Sequence, residues 1–228
     1  LKLEKLAGLA FNKYPKEYKD YIHEEEKVVL ELIKDTNKLL DVGCGSDMYI
    51  PKVVKEVKEY IGIDLDDSMV YEAKDNLGKA KHSKIIQMDN HQLSIRFKKN
   101  HFNITIALWN GLGSMGDELH FLQEVAFVTK EKIILSCVEK GHVDVRSQYY
   151  EDMNSSYLVM DDGKETITSP LWGSARAFSK EDIEQLAKLA GLKVDKMMPL
   201  AKIGFLAILS KKKNIFKEMG KKLMRKED

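Results

Sequence analysis

Two cysteines in 228 residues, four prolines, two tryptophans and a formal charge of +1 mark what this chain has little of. Cys44 stands in a glycine turn and Cys137 inside an apolar run, so they form neither a metal-ligand spacing nor a disulfide framework, and a reducing, cytoplasmic setting is expected. No apolar run approaches the ~20 residues of a membrane span, and no signal pattern opens the chain. Its first residue, Leu1, reads as the product of processing or trimming. A charge near zero excludes a strongly charged partner for the domain as a whole. His82, His91, His101 and His120 have no metal spacing, so no metal is expected. The charge that exists is uneven: Lys211 to Asp228 holds eight basic and three acidic residues, against 29 and 33 in the remainder. Ile215, Phe216, Met219 and Leu223 recur there at helical spacing, which predicts a basic amphipathic tail helix, docked on the domain or touching RNA or a membrane surface.

Apolar residues at 43% and charged residues at 32% describe a chain able to bury a core. Helical patterns fill residues 1–37 as an N-terminal cover, the second bearing Tyr18, Tyr21, Ile22, Val28, Val29, Leu32 and Ile33 on one stripe. Short apolar runs then alternate with helical ones. Strands are expected at 38–43, 60–64, 84–88, 103–109 and 132–138, and a final pair at 192–197 and 203–210. A helix carrying Ile50, Val53, Val54 and Val57 follows the first strand, and another, capped by Asp66, Asp67 and Ser68, follows the second. Ser179 and Asp182 open the last helix as a capping box, and Gly191 ends it. The fold class is α/β: a doubly wound, mainly parallel seven-stranded sheet with an antiparallel edge hairpin. Residues 38–210 make the main domain. Within it, 139–177 are too long for an ordinary connection and read as a lid or substrate insertion, with a hairpin turning at Asp161-Asp162-Gly163.

The stretch "LLDVGCGSD" (Leu39 to Asp47) places Gly43 and Gly45 at the exit of the first strand, where ligands of doubly wound sheets lie. A dinucleotide fingerprint needs a third glycine at position 48, which is Met48. Asp41 would repel a pyrophosphate and attract an ammonium or sulfonium. Both points weigh against a nicotinamide oxidoreductase and for a nucleoside ligand with a positive centre. Asp64 ends the second strand, 19 residues after Gly45, where an acid commonly takes ribose hydroxyls. Asp89 follows the third strand and can accept from an exocyclic amine.

"LLDVGCGSD", "YIGIDLDDSM", "IIQMDN" and "ARAFSKEDIEQLAKLAGL" together resemble the successive signatures of the class I S-adenosylmethionine-dependent methyltransferases, over roughly Lys38 to Ser210. The resemblance implies a Rossmann-like methyltransferase fold and S-adenosylmethionine as cofactor. It implies that Asp41, Gly43, Cys44 and Gly45 line the methionine part, that Asp64 binds the ribose and Leu65 touches adenine. Asp89 and Asn90 would meet the adenine edge, with Trp109, Asn110 and Gly111 where cofactor and acceptor meet. Two departures stand out: Ser46-Asp47 replaces the third small residue of the glycine motif, and Asn103 replaces an acid.

The exit of the fourth strand, "LWNGLGSMGD", lacks the prolines usual where exocyclic amines of bases are methylated, and Cys137 lies mid-strand rather than in a Pro-Cys nucleophile. The acceptor expected is therefore a small molecule, methylated on N or O by direct in-line transfer, in which alignment supplies most of the catalysis. Candidate acceptor residues are Tyr14, Tyr18, Arg146, Tyr150 and Arg176, the arginines for an acidic acceptor, with His142 as a base. The alternatives are an RNA or protein methyltransferase docked by the basic tail, and a non-catalytic S-adenosylmethionine-binding protein.

Overall fold

The computed structural model describes residues 11–46, 49–160, 162–170 and 173–212. Asp47, Met48, Trp172 and the expected tail helix from residue 213 onward lie outside the described residues. Helix α1 (Lys16–Ile33) starts after Pro15 and buries Tyr21, Ile22, Glu25, Val29 and Ile33, a stripe repeating every three to four residues. The chain then alternates: β1 (Thr36–Val42), α2 (Ile50–Glu56), β2 (Val57–Asp64), α3 (Asp67–Leu77), β3 (Ser83–Gln87), a short α4 (Leu93–Arg96), β4 (Phe102–Ala107), α5 (Glu118–Val128) and β5 (Thr129–Val138). After β5 come α6 (Val143–Asp152) and the short strands β6 (Leu158–Val159), β7 (Ile167–Ser169) and β8 (Gly173–Ala175). The chain returns through α7 (Lys180–Leu189), β9 (Leu192–Leu200) and β10 (Gly204–Lys211).

Seven strands form one sheet in the order β3-β2-β1-β4-β5-β10-β9. The first five are parallel, while β10 runs antiparallel to both β5 and β9. Alternating residues feed two cores: Leu39, Tyr60 and Ile104 join α1, α2 and α3 on one face, while Leu40, Ile61 and Ala107 join α5 and α7 on the other. Because β1 lies between β2 and β4, the strand order reverses beside it, and the crevice at its carboxyl end is the expected ligand position.

The expected caps form. Asp66 accepts from the backbone N–H groups of Ser68 and Met69, and Ser179 and Asp182 make a reciprocal capping box. Several boundaries differ from the expected ones: β1 opens at Thr36 rather than Lys38, β4 ends at Ala107 rather than Trp109, and β9 runs on to Leu200. Val57 fits the helical stripe of α2 but opens β2, drawn there by pairing with Thr36. β5 begins at Thr129, whose hydroxyl meets that of Thr105 at 2.5 Å, three residues before the expected start at Lys132. The insertion holds a hairpin as expected, extended to three strands by β8, which pairs antiparallel with β7. Among the described residues no helix is long and apolar enough to cross a membrane.

Candidate functional site

The glycine turn is fastened to the end of β2 by its own amides. Gly43 and Cys44 both donate to the Ile63 carbonyl, at 2.9 and 3.0 Å, and Gly45 donates to Asp64 Oδ2 at 2.9 Å. Gly43 and Gly45 carry φ of +69° and +54°, a conformation L side chains rarely adopt. A turn that cradles phosphate leaves such N–H groups directed at its ligand. Here all three are engaged within the protein, so the geometry agrees with the sequence argument against a pyrophosphate.

Asp64 also accepts the Asp66 N–H, at 3.0 Å through Oδ1, so each carboxylate oxygen holds one backbone amide and retains capacity for another donor. The next residue, Leu65, is 65% exposed and offers an apolar surface beside that carboxylate. Asp41 is buried, and its Oδ2 accepts the Tyr60 hydroxyl at 2.9 Å. Gly62 makes room for this pair: a Cβ there would stand 2.8 Å from the Tyr60 hydroxyl and 3.0 Å from Cys44 Sγ. This bond holds the Asp41 carboxyl in place inside the strand ends. Cys44 is buried too.

Asp89 caps the short turn after β3, accepting from the His91 N–H at 2.8 Å and meeting His91 Nδ1 at 3.1 Å. Asn90 directs Nδ2 to Met115 Sδ at 2.9 Å, while its buried Oδ1 has no hydrogen-bond partner. Met115 also reaches the glycine turn, since a Cβ on Gly43 would lie 2.9 Å from its methyl carbon. One thioether thus fills the space between Gly43 and Asn90. An unpartnered amide oxygen, a carboxylate with free acceptor capacity and an exposed Leu65 suit an adenosine with its exocyclic amine and ribose hydroxyls, so the residues present fit S-adenosylmethionine.

The exit of β4 is strained and held from three sides. Trp109 and Asn110 both have positive φ, +56° and +59°, which costs roughly 1–2 kcal/mol per non-glycine residue. Glu25, fully buried on α1, accepts the Trp109 N–H at 3.0 Å. Asn110 Oδ1 accepts the Val138 N–H at 3.0 Å, and its Nδ2 donates to the Arg176 carbonyl at 2.9 Å. Both polar atoms of Asn110 thereby join β4, β5 and the end of the insertion. Gly113 permits the close approach, because a Cβ there would stand 2.4 Å from the Arg176 carbonyl oxygen.

A cavity of about 240 Å³ adjoins this segment, walled by Trp109, Asn110 and Ser114, by Tyr14, Tyr18 and Tyr21 of the N-terminal part, and by Arg146, Tyr149 and Tyr150 of α6. Tyr149 stacks on Tyr18 with ring centroids 5.0 Å apart and meets Tyr14 edge-on at 4.8 Å. Burial pushes the Tyr18 phenol up to about 12, partly opposed by the nearby Arg146 charge, and raises Tyr21, Tyr149 and Tyr150 as well. These phenols stay protonated at neutral pH.

Of the expected acceptor residues, Tyr14, Tyr18, Arg146 and Tyr150 meet at this cavity. Arg176 does not: it pairs with Glu118 at 3.3 Å and Asp182 at 3.5 Å, with its guanidinium 4.4 Å above the Phe178 ring. His142 precedes α6 and is not a wall residue, so the structure does not bring it to the cavity. Asn103, the departure from an acid, lies at the opposite end of β4, where it accepts the Lys38 N–H and donates to Glu131. Its change leaves the site untouched. Sequence reasoning passed over Glu25, Met115 and Tyr149. Glu25 carried a signal: it stands four residues after Tyr21 and four before Val29, an acid on the buried stripe. Among the described residues no group of His, Cys, Asp and Glu could hold a metal ion. Burial pushes the Cys137 thiol well up, with Glu25 adding to the effect, as befits a core residue.

Residues 40–136 match a family described as a methyltransferase domain. No curated protein sequence matches the chain. Among solved structures, a protein from Pyrococcus horikoshii OT3 superposes with a TM-score of 0.68 at 20% identity, covering 88% of this chain and 93% of its own. A SAM-dependent methyltransferase from Aquifex aeolicus gives 0.60 at 20% identity, covering 81% and 88%. A 1,6-didemethyltoxoflavin-N1-methyltransferase from Burkholderia thailandensis, solved with that acceptor and S-adenosylhomocysteine, gives 0.58 at 12% identity, covering 84% and 78%. At such identities these likenesses speak for the fold.

Proposed function

We propose, from the premise that this chain is a class I S-adenosylmethionine-dependent methyltransferase, that it methylates a small molecule on N or O by direct in-line transfer. In this reading the acceptor enters the tyrosine-walled cavity. The observation that carries it is the shared segment at the exit of β4, with Trp109, Asn110 and Ser114 on the cavity and Met115 against Gly43. The Burkholderia enzyme, of the same fold, was solved with a small-molecule acceptor.

Asp64 would take the ribose hydroxyls, Leu65 the adenine face, and Asp89 and Asn90 the adenine edge. Gly43, Cys44 and Gly45 would pass close to the methionine part, with Asp41 behind them as a fixed negative charge favouring a positive centre. Bound there, S-adenosylmethionine supplies a methyl group activated on a sulfonium. The chain's own contribution is alignment: Trp109 and Asn110, locked by Glu25, Val138 and Arg176, fix the wall between donor and acceptor. The wall tyrosines hold their protons and His142 stands outside, so the reading favours an acceptor atom that brings its own lone pair, such as an amine or an already ionised hydroxyl.

The test is calorimetric titration with S-adenosylhomocysteine, followed by an acceptor screen reading product S-adenosylhomocysteine. Saturable binding with turnover of a small N or O nucleophile is the expected result. Turnover confined to RNA or protein, or absent throughout, would remove the small-molecule reading.

A further inference from the structure

The two arginines near the cavity differ in how their charge is met. Arg176 is matched by Glu118 and Asp182 inside the protein. Arg146 is only 2% exposed, yet among the described residues no carboxylate stands within ion-pair distance of it. Two of its roughly five N–H donors go to backbone carbonyls, Nη1 to Glu165 and Nη2 to Ala175, the latter at 2.6 Å. These bonds orient the guanidinium and tie it to the insertion, but carbonyls carry no net charge. The phenols beside it, Tyr18 and Tyr150, remain neutral because burial raises both. A cation taken out of water calls for a compensating anion, and none of the described residues supplies one. Arg146 nonetheless lines the cavity.

We propose that the methyl acceptor is itself an anion, whose carboxylate or phosphate group seats on Arg146 while a flat body lies against Tyr18, Tyr149 and Trp109. The guanidinium fork suits an oxyanion, and its two carbonyl anchors hold it ready before the ligand arrives. The stacked Tyr18–Tyr149 pair, 5.0 Å between centroids, forms an aromatic wall for a ring. This inference rests on the cavity being the acceptor site of the proposed methyltransferase.

The experiment is titration calorimetry of the full chain, saturated with S-adenosylhomocysteine, against benzoate, phenyl phosphate and the neutral benzamide. At least one acid should bind tenfold or more tightly than benzamide, and the preferred acid tells which oxyanion the site takes. Arg146→Gln should abolish the preference while S-adenosylhomocysteine affinity is kept, and Arg146→Lys should retain part of it. Equal binding of benzamide and both acids, or no binding of any, overturns the proposal, as does an unchanged preference in Arg146→Gln. If that variant fails to fold, the wild-type ratio and the lysine variant still decide. An acid preference without S-adenosylhomocysteine binding would sink the methyltransferase reading and leave the anion site. The reverse result would sink the anion site alone.

Discussion

Replacing Asp64 with alanine separates the donor site from the rest of the fold. Its carboxylate offers about four acceptor positions, of which two are filled by the amides of Gly45 and Asp66 at 2.9 and 3.0 Å. The remaining two match the two hydroxyls of a ribose. A hydrogen bond to a charged group contributes about 1.5–3 kcal/mol, and the half-buried position argues for the lower end. Losing both should weaken binding by about 3 kcal/mol, or roughly a hundredfold in Kd. The two freed amides can turn to water, so the loss of stability should be only about 1–2 kcal/mol. Calorimetric titration with S-adenosylhomocysteine measures the first quantity and urea unfolding the second. Asp64→Asn, which keeps one oxygen, should fall between wild type and alanine in affinity. A folded Asp64→Ala protein whose Kd stays within threefold of wild type would refute the assignment of the ribose to this residue.

Three further outcomes test the frame around the site. Asn110→Ala removes both bridging bonds, leaves the Val138 amide without its acceptor and puts alanine at a φ of +59°, so unfolding in urea should show a loss of about 2–4 kcal/mol; a loss under 1 kcal/mol would discount the bridge. In Gly204→Ala the new Cβ would stand 2.5 Å from the Cys137 carbonyl oxygen and 2.5 Å from the Tyr21 ring, so α1 must shift from the sheet, and a melting temperature equal to wild type would contradict that close packing. The Tyr18 phenol is raised to about 12 from an ordinary value near 10. Its contribution to stability is therefore complete below about pH 10 and falls away as pH climbs through about 12, because the unfolded chain ionises first. Unfolding measured across that range should show a smaller decline in Tyr18→Phe than in wild type, and identical declines would argue against a buried phenol.

The sheet was readable because its signals are local. β1, β3 and β4 are apolar runs bounded by turns, and the caps at Asp66 and Ser179 are written in adjacent residues. Boundaries failed where tertiary pairing overrode pattern: Val57 satisfies a helical stripe equally well, and only its partner Thr36 makes it a strand residue. Helix α6 escaped detection because it buries Arg146 and Tyr150 rather than an apolar stripe, so no periodicity announced it. For the proposed donor side, acids and glycines at strand ends could be named from order and spacing alone. The proposed acceptor side could not be assembled that way. Tyr14 and Tyr149 meet only after the 134 residues between them have folded, and nothing near Arg176 in the sequence shows that Glu118 and Asp182 will hold its charge.

The wall at the exit of β4 also bears on how such a protein diversifies. The strand ends of β1, β2 and β3 carry the proposed donor residues, whereas the tyrosines of the cavity come from α1, the residues just before it and the insertion. Substitutions on the cavity side touch neither the amides that fasten the glycine turn nor the carboxylate of Asp64, so their effects on the two halves should be nearly additive. New acceptors can then be explored by drift in α1 and α6 while the donor half stays under unchanged selection. Glu25 and Asn110 are the exceptions: each belongs to an acceptor-side or bridging element yet sets the backbone both halves share. They are the positions at which a lineage changing its acceptor has least freedom to vary.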